Sequence, residues 1–151
     1  MADVFYHRPL ATLVLGGCLL SGMPAQALEL SDAWVRAMPP GRPMTAAYMN
    51  LRNDSDRAVT VTAITSALGE ASLHETRVVD GRSTMQELPQ LRLEPGTSAQ
   101  LVPGGMHIML MGLTKTPVVG EVVPLCLDTD AGSFCVDAPV QRGAASSPHH
   151  H

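Results

Sequence analysis

The chain has 151 residues, of which 16% are charged, with a formal net charge of −4, one lysine and three cysteines. That length suits a single domain. A mildly acidic chain with scattered arginines makes a poor nucleic-acid binder, and no basic amphipathic helix points to a membrane surface.

Residues 1–27 read as a signal peptide. His7 and Arg8 give a weakly basic start, "LATLVLGGCLL" (10–20) is a short apolar run, and "AQA" (25–27) has the shape of a cleavage site. The run is too short for a membrane span, so the mature chain is expected to begin near Leu28 with no integral span. Export to the periplasm follows. A minority alternative is lipid attachment at Cys18, because "LGGC" (15–18) resembles a lipid-attachment box. The apolar "LLSGMP" that follows is unusual for a lipoprotein tether.

The domain is expected over residues 28–142. It reads as short extended runs between Gly, Pro and Asp turns. "LELSDAWVRA" (28–37) leads into "MPPGRP" (38–43), and "TAAYMNLRN" (45–53) ends at "DSD" (54–56). "AVTVTAI" (58–64) is β-branched and alternating. "SLHETRVV" (72–79) meets "DG" (80–81) and then "STMQEL" (83–88). "TSAQL" (97–101) lies between "EPG" and "VPGG". "GGMHIMLMGL" (104–113) is rich in sulfur, and "EVVPLCLDT" (121–129) and "GSFCVDAPV" (132–140) flank a last tight turn. Strands this short, at this spacing, predict an all-β antiparallel Greek-key sandwich. No helix of three turns is expected. "GAASSPHHH" (143–151) reads as a flexible tail whose His149–His151 bind metal adventitiously.

Turn chemistry sets two registers. Asp80-Gly81 is a strong two-residue hairpin signal. It pairs Val79 with Arg82, and so Thr76 with Met85 and His74 with Glu87. His74 and Met85 are then diagonal neighbours on one face, roughly 7–8 Å apart at the backbone. In the later strand, His107, Met109 and Met111 face one way, and Met106, Ile108 and Leu110 the other. If Asp130-Ala131 is likewise a two-residue turn, Cys126 faces Cys135 at a non-hydrogen-bonded position. The exported chain would then carry a cross-strand disulfide. A bulge in the turn would break that register and leave the thiols free or as weak copper ligands.

Two imidazoles and two thioethers form a soft, uncharged donor set. Soft sulfur selects Cu(I) over hard cations, whereas zinc prefers thiolate, imidazole or carboxylate. A blue-copper site needs a cysteine near its histidines, and neither Cys126 nor Cys135 is near either pair. Thioethers do not titrate, but imidazole must be neutral to ligate, so acid should weaken binding. These residues alone leave a metal site and ordinary core methionine about equally favoured. Met44, Met49, Met106 and Met111 are candidate auxiliary sulfur donors, but packing is favoured for each; Met111, on the ligand face, is the first choice for a supporting role, and Trp34 is assigned to a core anchor near the sandwich edge.

In sequence, His74, Met85, His107 and Met109 read H-x10-M-x21-H-x-M. This pattern resembles the signature of periplasmic PCuAC-type copper chaperones. "DAWVRAMPPGRPMTAAYMNLRN" (32–53), "LHE" (73–75), "PGGMHIMLMGL" (103–113) and "VDAPV" (136–140) resemble the family as well. The resemblance spans about residues 29–140. It implies a cupredoxin-like sandwich, one Cu(I) per chain held by His74, Met85, His107 and Met109, and no enzymatic activity. It also implies delivery to the CuA centre of cytochrome c oxidase, through its subunit II or another copper-carrying assembly protein, by a chain acting as a monomer. Glu75 stands where some members carry Met, and Cys126 and Cys135 are not a feature of that signature. The alternatives are a copper buffer for tolerance, a thiol-disulfide oxidoreductase aiding oxidase assembly (disfavoured without CxxC), and an adhesive sandwich with an incidental metal site.

Overall fold

The computed structural model describes residues 26–143. The expected signal segment up to residue 25, Cys18, and the histidine tail lie outside the described residues. Ten strands follow one another: β1 (Leu28–Arg36), β2 (Met44–Asn53), β3 (Val59–Ser66), β4 (Gly69–Val79) and β5 (Arg82–Leu88), then β6 (Leu91–Leu93), β7 (Ser98–Leu101), β8 (Met106–Met111), β9 (Val122–Thr129) and β10 (Gly132–Gln141). No helix occurs among the described residues.

The strands close on themselves in the order β4-β8-β2-β1-β10-β9-β3 and back to β4. β5 extends the sheet outward from β4, β6 from β3 and β7 from β2. The expected all-β, cupredoxin-like class holds, as a closed barrel-like sandwich. One detail departs from an all-antiparallel reading: β1 and β10 run parallel, pairing Val35 with Val140. These are the first and last strands of the described residues, so the whole of the chain between them forms the connection. A parallel pair needs a long crossover, so no hairpin rule in the sequence reveals it.

Both turn-based registers are present. Asp80 and Gly81 have φ of 51° and 74°, the two positive values that a type I′ turn requires. The pairs Val79–Arg82, Thr76–Met85 and His74–Glu87 follow. At the last hairpin Thr129 pairs with Gly132 and Cys126 with Cys135, and the two sulfurs are bonded. The barrel closes tightly beside the β3–β4 turn, where a Cβ on Gly69 would overlap the Met111 carbonyl oxygen.

Alternation sorts the side chains. Val35, Ala47, Ile108, Leu110, Leu125 and Ala138 point inward and are fully buried. Trp34 is buried as expected, but on the outer face of the sheet. Ser31 pairs with Asn50 but Trp34 pairs with Tyr48, so β1 carries one residue more than β2 across this stretch. That bulge, with Asp32 at a positive φ of 51°, reverses the inward parity set by Leu28 and Leu30. Val35 therefore enters the core, and Trp34 turns to the outer face. It is still only 6% exposed there, because it packs on Tyr48 with ring centroids 4.5 Å apart.

Candidate metal centre

The outer face of β5, β4 and β8 carries all four residues of the spaced signature. β4 and β8 are antiparallel neighbours, and their register sets His74 directly opposite His107 and Ser72 opposite Met109. β5 adds Met85 opposite Thr76. Directly paired residues, and residues two apart on one strand, share a face. His74, Met85, His107 and Met109 therefore project from the same side of the sheet. The two imidazole rings stack with centroids 6.0 Å apart and planes 25° apart. Met85, His107 and Met109 line one depression of about 310 Å³. His74 stands beside it, its ring against that of His107.

The hydrogen bonds prepare the rings. His107 is 6% exposed, and its Nδ1 lies 3.0 Å from the Gly105 carbonyl oxygen. A carbonyl can only accept, so in the neutral ring the proton sits on Nδ1 and Nε2 carries the free lone pair. The same carbonyl accepts the Thr76 N–H at 3.2 Å, which ties the β7–β8 turn to β4. His74 Nε2 lies 2.8 Å from Ser72 Oγ, a hydroxyl able to donate or accept. Partners of this kind hold ligating imidazoles in orientation.

The remaining wall is largely apolar, and Arg36 is the one charged side chain that lines it. Tyr48 follows Ala47, the residue of β2 paired with Ile108, so alternation sets Tyr48 beside His107. Burial pushes its phenol above the ordinary value of 10.0, partly opposed by the Arg36 guanidinium. That guanidinium lies 5.3 Å from the Tyr48 ring centroid, a cation–π contact. Among the described residues no three His, Cys, Asp or Glu side chains converge as a metal site. The donors gathered here are two imidazoles and two thioethers, which fit a soft monovalent ion far better than zinc or a hard cation.

The other methionines divide clearly. Met49 is buried and Met106 packs against the core. Met111 shares the ligand face, but it sits between Met44 and Glu70 and lines a different depression, with Glu70 and Glu87. Met44, expected to be packing, is instead 46% exposed and borders the same depression as His107 and Met109. Met38, which the sequence did not single out, borders it as well.

The family model described as "Putative lipoprotein LpqE-like" matches residues 28–140. The chain belongs to the LpqE-like family. It is 40% identical over 114 residues to "Putative lipoprotein Lxx21020" of Leifsonia xyli subsp. xyli, covering 74% of this chain and 68% of that protein. The solution structure of "CuI-DR1885" from Deinococcus radiodurans is 32% identical, covers 82% of each chain and has a TM-score of 0.60. The apo PCuAC domain of PmoF2 shares the fold, with a TM-score of 0.64 at 24% identity over 79% of this chain and 93% of that one. The LpqE-like chain thus has the fold of PCuAC domains, the fold that the resemblance implied.

Proposed function

We propose that this chain is an exported copper carrier. It binds one Cu(I) through His74, Met85, His107 and Met109 and hands it to a copper acceptor in oxidase assembly. The single observation that carries this reading is the direct pairing of His74 with His107 on the face that also bears Met85 and Met109. Residues from two remote hairpin segments are thereby gathered at one place. Neutral thioethers and imidazoles hold cuprous ion without thiolate, so the metal can pass to a stronger acceptor. That DR1885 has a structure described as a Cu(I) form agrees with this choice of ion. The CuA centre of cytochrome c oxidase is the acceptor we favour.

Two features support export. A disulfide between Cys126 and Cys135 suits an oxidising compartment. The family and the Leifsonia relative are both described as lipoproteins, which favours lipid attachment at Cys18 over cleavage near Leu28. Under that reading Cys18→Ala releases the protein from membranes, and a variant that stays membrane-bound refutes it. The oxidoreductase alternative loses support, since the two sulfurs staple adjacent strands of one hairpin.

Anaerobic Cu(I) titration against a cuprous chelator tests the site, with X-ray absorption counting neighbours. We expect one ion per chain with two nitrogen and two sulfur neighbours. The double variant His74→Ala, Met109→Ala should lose it, and retention of wild-type affinity would defeat the proposal. Delivery predicts poor oxidase activity under copper scarcity when the protein is lost, whereas a buffer predicts sensitivity to copper excess.

A further inference from the structure

We propose that Met38 and Met44 form a second, sulfur-only seat for Cu(I), adjoining the His/Met site and serving as the station through which metal enters and leaves. The inference rests on the carrier reading above and adds a binding position to it.

Met44 is the residue that packing does not explain. It stands on the outer face of β2, opposite Met111 and diagonal to Met109, and nearly half of it is exposed. A methionine that fills a core is buried, as Met49 is. The diagonal separation is roughly 7–8 Å at the backbone, within reach of two long flexible side chains. Ala46, which pairs with Met109 on the same face, is small and leaves the lane between the two sulfurs open. Met38 approaches from the segment after β1, and it borders the same depression as Met44, Met85 and Met109. Four thioethers and the His107 imidazole thus share one concavity of about 310 Å³.

Two thioethers without imidazole make a weaker seat than two of each. Arg36 borders the same depression, and its positive charge further shortens the stay of a cation there. A weak soft site beside a stronger one is what stepwise ligand exchange requires: the ion can gain a new sulfur before releasing an old one.

The test is NMR of the full chain carrying 13C-methyl methionine, titrated anaerobically with Cu(I). The first equivalent should shift the Met85 and Met109 methyl signals, and metal beyond one equivalent should shift those of Met38 and Met44. In the variant Met38→Leu, Met44→Leu the first equivalent still moves Met85 and Met109, while the later response disappears. Transfer of Cu(I) from this variant to a chromogenic cuprous chelator slows by about tenfold, as expected for a barrier raised by one modest interaction. If excess metal leaves Met38 and Met44 unmoved while Met85 and Met109 respond, the second seat does not exist and the carrier site stands. An unchanged transfer rate overturns the station role. If the first equivalent fails to move Met85 and Met109, the carrier reading falls and takes this inference with it.

Discussion

Met85→Leu separates metal binding from folding. Met85 is 62% exposed on β5, an edge strand that, among the described residues, pairs only with β4. Leucine keeps the apolar bulk, so unfolding free energy should move by no more than about 0.5 kcal/mol. The sulfur lone pair has no replacement. Removing even an outer-shell partner of a metal typically costs about tenfold to a hundredfold in affinity. Deleting a ligand should cost at least that, or roughly 1.4–2.7 kcal/mol. His107→Ala would be a poorer probe. That ring is buried and bonded to Gly105, so its loss also lowers stability by about 1–2 kcal/mol. The assay is anaerobic competition for Cu(I) against a cuprous chelator, paired with urea unfolding of the metal-free protein. A Met85→Leu variant with unchanged stability and wild-type copper affinity would show that β5 contributes no ligand, and the four-residue geometry would be refuted.

Three further outcomes follow from the same structure. The Cys126–Cys135 bond joins residues nine positions apart, and replacing both by alanine should cost about 2.5 kcal/mol through loop-closure entropy. Thermal unfolding should fall by roughly 10–15 °C, with copper affinity intact because β9 and β10 lie away from the ligand strands. Asn53 is fully buried, donates from Nδ2 to the carbonyls of Arg57 and Leu93, and accepts at Oδ1 from the N–H and Oγ–H of Ser55. Asn53→Ala leaves several of these groups without partners and should lower the unfolding free energy by about 2–4 kcal/mol in urea titration. Tyr48 should ionise above the usual phenol value of 10.0, chiefly because it is buried. A group whose folded pKa is raised adds stability below its unfolded pKa and loses it as pH rises through the folded one. The urea midpoint should therefore decline above about pH 10, and ultraviolet titration showing Tyr48 ionising at or below the ordinary value would contradict the burial argument.

What could be read directly from the residues was local. Asp80-Gly81 dictates a two-residue turn and Asp130-Ala131 permits one, and a two-residue turn sets every pair along its hairpin. The Met85–Thr76 and Cys126–Cys135 pairings were therefore legible, as was the single face shared by His107 and Met109. The spaced motif added the expectation that the two segments act together. No turn rule, however, sets β4 beside β8, because residues remote in the chain pair only through the closure of the whole sheet. That closure brought the His74 and His107 rings to 6.0 Å and set β1 parallel to β10. The tertiary structure also decided which face three other side chains take. A one-residue bulge at Asp32 turned Trp34 to the outer face, alternation set Tyr48 beside His107, and Met44 was left open to solvent. Alternation predicts faces only relative to a starting parity, and a bulge or a distant neighbour resets that parity without leaving a mark in residue type.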